Sequence, residues 1–165
     1  MGSRTTGIIE NRLADLGIEL PPAVITPPGV VLPFAFVNVL GNRAIISGHG
    51  PQAADGKIAG PFGKVGDDLS VEQGYRAARL VGLSILGSLQ RELGTLDRVS
   101  GWVKALGMVN ATHDFADHPA VINGFSDLII EVFGPEVGRH SRSAVGMASL
   151  PWQIPVEIEA EVVID

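Results

Sequence analysis

The sequence predicts a two-layer α+β domain, and three observations carry that prediction. Two β-rich runs flank Leu40-Gly41-Asn42, the pattern of a hairpin. Two long segments, one opening at Ser70 and one at Asp117, repeat their apolar residues at helical spacing. The closing run, Val156 to Ile164, alternates strictly, with Val156, Ile158, Ala160, Val162 and Ile164 on one face and Glu157, Glu159 and Glu161 on the other. Strands, helix, strand, helix and two strands in that order give a sheet with helices on one face. The glutamate face is left for solvent or a partner.

Each element has its own signal. Residues 5–16 place Ile8, Ile9, Leu13 and Leu16 at helical spacing, and Gly17 ends the helix. Residues 18–33 hold five prolines and read as an extended connector. The second hairpin strand ends at Ser47-Gly48-His49-Gly50-Pro51, where glycine permits a sharp turn and the close approach of a ligand. Residues 52–69 are mostly loop, with room for a short strand near 57–59. Ser70 and Gln73 form a capping box, followed by Val71, Tyr75, Ala78, Ile85, Leu89 and Leu93 up to Gly94. Arg98 to Met108 reads as a strand. Asp117 caps the second long helix, Pro119 sits in its first turn, and Gly134-Pro135 stops it.

The 165 residues suit one domain with a sizeable core. An apolar fraction of 45% and a mean hydropathy of +0.28 are high for so few aromatics, which points to apolar surface hidden against copies of the same chain. A net charge of −6 and no basic run argue against nucleic acid as a partner. The absence of cysteine excludes disulfides, thiol nucleophiles and cysteine-ligated zinc. No apolar stretch is long enough to span a bilayer, and no apolar signal core opens the chain; the expectation is a cytoplasmic protein without membrane contact.

The candidate chemistry is sparse. Arg142 opens a strand, where its planar fork suits a carboxylate and where a plain surface arginine is equally at home. If 142–148 and 156–164 are neighbouring antiparallel strands, Glu157 lies near it and handles a water; the alternative is a solvated acidic stripe. Asn123 sits inside a helix that it does not favour, and Gly124 beside it suggests a close approach. The four histidines have no metal-ligand spacing, so no metal site is expected. Neither a Gly-x-Ser-x-Gly elbow nor a phosphate-binding glycine fingerprint occurs.

Arg142-Ser143-Ala144-Val145, Ala148-Ser149-Leu150-Pro151 and Val156-Glu157-Ile158-Glu159-Ala160 together resemble the C-terminal signature of the RidA (YjgF/YER057c/UK114) family, formerly labelled endoribonuclease L-PSP. Leu40-Gly41-Asn42, Ile45-Ile46-Ser47-Gly48 and Asn123 match in the right order. Asn123-Gly124-x-Ser126 with Gly138-Arg139-His140-x-Arg142 looks like a longer subgroup. The resemblance divides the chain into an N-terminal helix and Pro-rich connector, 1–32, and a RidA-like domain, 33–165. It implies a chorismate-mutase-like fold, with a mixed sheet carrying two long helices on one face, assembled as a homotrimer with clefts between subunits.

The implied activity is hydrolysis of small reactive enamine or imine acids to 2-keto acids and ammonia, without a cofactor. Carried over by motif, Arg142 binds the substrate carboxylate and Glu157 positions the water. Ser47, Gly48, Asn123 and Phe34 line the site, and Arg139 and His140 offer a further anion contact. Phe34 stands where the family often has tyrosine, and Ala144 where it often has cysteine. A non-catalytic trimer that binds a small carboxylate is the alternative, and a ribonuclease is a more distant one.

Overall fold

The computed structural model describes residues 7–26 and 28–165. Thr5 and Thr6 of the expected first helix, and Pro27 of the connector, lie outside the described residues. Helix α1 spans Ile8–Asp15. The Asp97 carboxylate accepts hydrogen bonds from the Ile8 and Ile9 amides, both at 2.8 Å, and so supplies a cap that α1 lacks in its own sequence. Glu10 returns the contact by accepting from the Leu96 amide at 2.7 Å, and Leu13 is buried in the core.

Strands β1 (Val37–Leu40) and β2 (Arg43–His49) form the expected hairpin. Helix α2 (Val71–Leu93) starts at the Ser70–Gln73 capping box, with both reciprocal bonds made, and ends at Gly94 in the left-handed region. Strand β3 (Val99–Asn110) follows, then α3 (His118–Gly138), β4 (Ser141–Met147) and β5 (Val156–Ile164). Asp117 does precede α3, but its side chain makes no capping bond. Gly134 breaks α3 at φ 77°, as the Gly-Pro pair leads one to expect, and a further helical turn then runs to Gly138. The short strand expected near 57–59 reduces to one bridge between Gln52 and Ile58. Among the described residues no helix is long and apolar enough to cross a membrane.

The sheet has the order β1-β2-β5-β3-β4, and only the β3–β4 pair is parallel. This corrects the expected pairing of the last two strands. β5 lies between β2 and β3, while β4 is the edge strand beyond β3. Helices α2 and α3 cover one face, where Ile46, Ala105, Val109, Ile158 and Val162 are buried with Ile85, Leu89, Phe125 and Ile129. The two helices pack backbone to backbone at Gly124, where an added Cβ would strike the Tyr75 carbonyl. The close approach read from Asn123-Gly124 is therefore an approach of helix to helix.

The other sheet face carries no helix. Ile45, Val145 and Met147 are 44%, 40% and 37% exposed there. Glu159 is exposed beside them, and Glu161 pairs with Arg43.

Candidate functional site

Two clusters contain the motif residues, and they lie on opposite faces of the sheet. Register fixes this. Arg142 pairs with Ala105, which pairs with Ala160, so Arg142 shares the helix-covered face. Glu157 pairs with Met108, which pairs with Val145, so Glu157 shares the open face. One chain therefore does not bring its own Arg142 and Glu157 together.

In the first cluster α3 holds Arg142 in place. One Nη donates to Ser126 Oγ at 2.9 Å; the other donates to Asn123 Oδ1 at 2.7 Å and to the Pro119 carbonyl at 3.3 Å. Three bonds leave two of the five guanidinium donors for a ligand. Asn123 thus helps to fix the guanidinium of Arg142. His140 stands behind them: Nδ1–H donates to the Gly138 carbonyl at 2.8 Å, and Nε2 accepts from Ser126 at 3.0 Å. Its ring packs between Trp102 and Phe125. Burial, first, and the Arg142 charge hold its pKa below the usual histidine value, offsetting the Gly138 bond. With both ring nitrogens engaged, His140 orients Ser126 and has no free nitrogen for an anion. Arg139 is exposed at the end of α3.

The second cluster surrounds Glu157. The β2–β5 register shifts between Ile46 and His49, and this irregularity turns Gly48 beneath the Glu157 side chain. A Cβ at Gly48 would collide with the Glu157 carboxylate oxygen, so only glycine leaves the carboxylate in this position. Glu157 is half-buried; burial, first, and the charge of Glu159 raise its pKa above the usual carboxylate value. Beside it lies a cavity of 340 Å³, lined by Phe34, Gly48, His49, Trp152 and the connector residues Val24, Ile25, Thr26, Val30 and Leu32 among others. Ser47 does not line this cavity. Its hydroxyl donates to the Ala35 carbonyl at 2.7 Å and its amide to the Phe36 carbonyl at 3.0 Å, which fixes the Phe34 segment.

His49, which carries no expected role, forms the cavity floor. It is 4% exposed; Nδ1–H donates to the Ser47 carbonyl at 2.7 Å, so Nε2 accepts from Ser88 Oγ at 2.9 Å. Arg91 in turn donates to Ser88 at 3.1 Å. Burial lowers the His49 pKa to about 4, against the Ser47 bond and with a small contribution from Arg91. Between that value and 6.5 the unfolded chain binds a proton that the native protein refuses, so stability falls as the pH drops through this window. The full effect is roughly 3 kcal/mol. Urea midpoints between pH 7 and 4 are expected to fall accordingly, and His49→Gln is expected to flatten that slope; an unchanged slope removes His49 as its source.

Among the described residues no group of three or more His, Cys, Asp or Glu side chains converges to hold a metal ion.

Comparison with known proteins agrees with this architecture. The family described as "YjgF/chorismate mutase-like, putative endoribonuclease" matches residues 10–156. Protein TCP17 of Trypanosoma cruzi is 39% identical over 155 residues, covering 94% of this chain and 93% of that protein. The crystal structure of Atu1372 from Agrobacterium tumefaciens superposes with a TM-score of 0.83 at 40% identity, over 96% of this chain and 92% of that one. A "putative endoribonuclease" from Shewanella oneidensis gives a TM-score of 0.83 at 30% identity, over 96% of this chain and 100% of that one.

Proposed function

The chain belongs to the YjgF/chorismate mutase-like family, and from that premise we propose that it hydrolyses 2-imino acids to 2-keto acids and ammonia, in a site shared between two copies of itself. The observation that carries the reading is the separation of Arg142 and Glu157 on opposite sheet faces of one chain, with Arg142 held by Asn123 and Ser126 and Glu157 seated over Gly48. A head-to-tail contact brings two different half-sites together, and where its rotation closes it forms a ring. The exposed Ile45, Val145 and Met147 supply apolar surface for that contact. The ring is the homotrimer implied by the resemblance.

In the shared site Arg142 of one copy binds the substrate carboxylate, and Glu157 of the next holds a water against the iminium carbon. The water oxygen bonds to that carbon while its proton passes to Glu157. Glu157 returns the proton to nitrogen and takes one from the new hydroxyl. The C–N bond breaks as the carbonyl forms, and ammonia leaves as ammonium with the proton from Glu157. A half-buried carboxylate with a raised pKa is suited to exchanging protons in this way. The iminium carbon is already electrophilic, so positioning and one charge-assisted clamp supply the rest. The three glutamates of β5 on the open face disfavour a polyphosphate strand there, which places ribonuclease second.

The test is keto-acid release when a dehydratase generates 2-aminoacrylate or its four-carbon homologue in situ. The protein is expected to exceed the spontaneous rate; a rate equal to the blank, for these and for longer-chain 2-imino acids alike, overturns the reading. Gly48→Ala is the matched control. Its methyl displaces the flexible end of Glu157, so turnover is expected to fall at least ten-fold while the melting temperature changes little. Full activity in Gly48→Ala contradicts the placement of the carboxylate.

A further inference from the structure

Glu157 stands at the mouth of a cavity far larger than a methyl group needs. Its 340 Å³ compares with about 30 Å³ for one water. Ile25, Thr26, Val30 and Leu32 of the connector form one wall, and Trp152 forms the rim.

Apart from Glu157 and Thr26, the polar side chains that line this cavity already have hydrogen-bond partners. His49 is bonded at both nitrogens and uncharged near neutral pH. Ser84 donates to Gln52 at 2.7 Å, and the Gln52 amide donates to the Pro22 and Gly56 carbonyls at 2.9 and 3.1 Å. Ser88 is held between His49 and Arg91. Away from Glu157, a polar group entering here would lose its water and meet mostly groups that are already bonded, whereas a hydrocarbon gains burial without breaking a bond.

The rim carries a second mark. Trp152 and Gln153 both adopt left-handed backbone, at φ 53° and 60°, conformations that non-glycine residues disfavour. The Gly63 amide, donating to the Gln153 carbonyl at 2.8 Å, helps to hold the pair. Strain of this kind persists where surrounding structure over-determines it, and it clusters at ligand clamps. Here it presents Trp152, 64% exposed, at the cavity entrance.

We propose that this cavity receives the side chain of the substrate, and that the preferred substrates are 2-imino acids with large, uncharged hydrocarbon side chains. The proposal rests on the imine-hydrolysis reading and names the substrate class of that site. The reactions that feed it are those that oxidise or otherwise dehydrogenate the matching apolar 2-amino acids to imines.

An amino-acid oxidase generates the test series in situ from alanine, 2-aminobutyrate, norvaline and norleucine. With spontaneous hydrolysis subtracted, kcat/KM is expected to rise about four-fold per added methylene. The imine of glutamate, with a charged side chain, is expected at least ten-fold below that of norvaline. Thr26→Trp, which fills the cavity from the connector side, is expected to collapse the norleucine-to-alanine ratio at least ten-fold; Trp152→Ala tests the rim without crowding the core. Calorimetric binding of the homologous 2-keto acids, from pyruvate to 2-oxohexanoate, provides a readout without turnover. If neither kcat/KM nor affinity depends on chain length, the cavity proposal fails and imine hydrolysis stands. If affinity rises with chain length but no imine turns over, the hydrolysis reading fails and the cavity's preference stands.

Discussion

Glu157→Gln is expected to lower imine turnover at least 100-fold while leaving the assembly and the affinity for 2-keto acids nearly intact. The glutamine keeps the shape of the side chain above Gly48 but takes up no proton, so the water beside it is no longer activated. The fold loses nothing by the change. Because the folded pKa of Glu157 lies above the ordinary value, native stability declines as the pH rises through that raised pKa and the group ionises. Removing the charge is therefore neutral or slightly stabilising at pH 7. Steady-state kinetics and a thermal melt on one preparation check both halves; turnover within ten-fold of wild type removes Glu157 from the proton transfers.

The largest effect on stability is expected from Gly124→Ala. The added methyl would meet the Tyr75 carbonyl oxygen and carbon, with the Arg79 amide close behind. These are backbone atoms of α2, and they do not rotate away. The helices must separate, and separation loosens Val81, Ile85, Phe125, Leu128 and Ile129, all fully buried. Overpacking costs of about 3 kcal/mol or more follow, against the ordinary gain of an alanine for a glycine in a helix. Denaturant midpoints should show a large loss; a stabilised variant would mean that α2 and α3 do not meet at this point. α3 also carries Asn123 and Ser126, so the same separation is expected to release Arg142.

The architecture was readable where periodicity and capping speak locally. The Ser70–Gln73 box, the alternation of β5 and the hairpin at Gly41 all stand as the residues suggest. The order of strands was not readable, because alternation states which residues share a face but not which strand lies alongside. β4 shows the cost of that gap. Hydrophobicity would turn Val145 and Met147 inward, yet Arg142, Ala144 and Gly146 share the helix-covered face. α3 approaches this edge closely enough that a Cβ on Gly146 would meet His118 and one on Gly107 would meet Ile122. Only small residues fit beneath it, and the larger apolar ones are left on the open face.

The motif residues were recognised as a set, but their division into two half-sites depends on register alone. Ser126 and His49 stood inside quoted motifs without a role, because their part is to hold Arg142 and to floor the cavity through bonds that spacing does not reveal. The connector wall and the left-handed Trp152 had no local signal, since proline content marks an extended chain but not the surface it covers.

The measurement that bears most directly on the shared site is activity after mixing two inactive variants. Arg142→Ala retains Glu157, and Glu157→Gln retains Arg142. Unfolded together in equal amounts and refolded, they assemble at random. A site with both wild-type groups forms wherever a Glu157→Gln copy supplies Arg142 to an Arg142→Ala copy, which is about a quarter of all head-to-tail contacts. Recovery of about a quarter of wild-type turnover is expected. Turnover no higher than that of the separate variants, with mixed assemblies shown to be present, would contradict it.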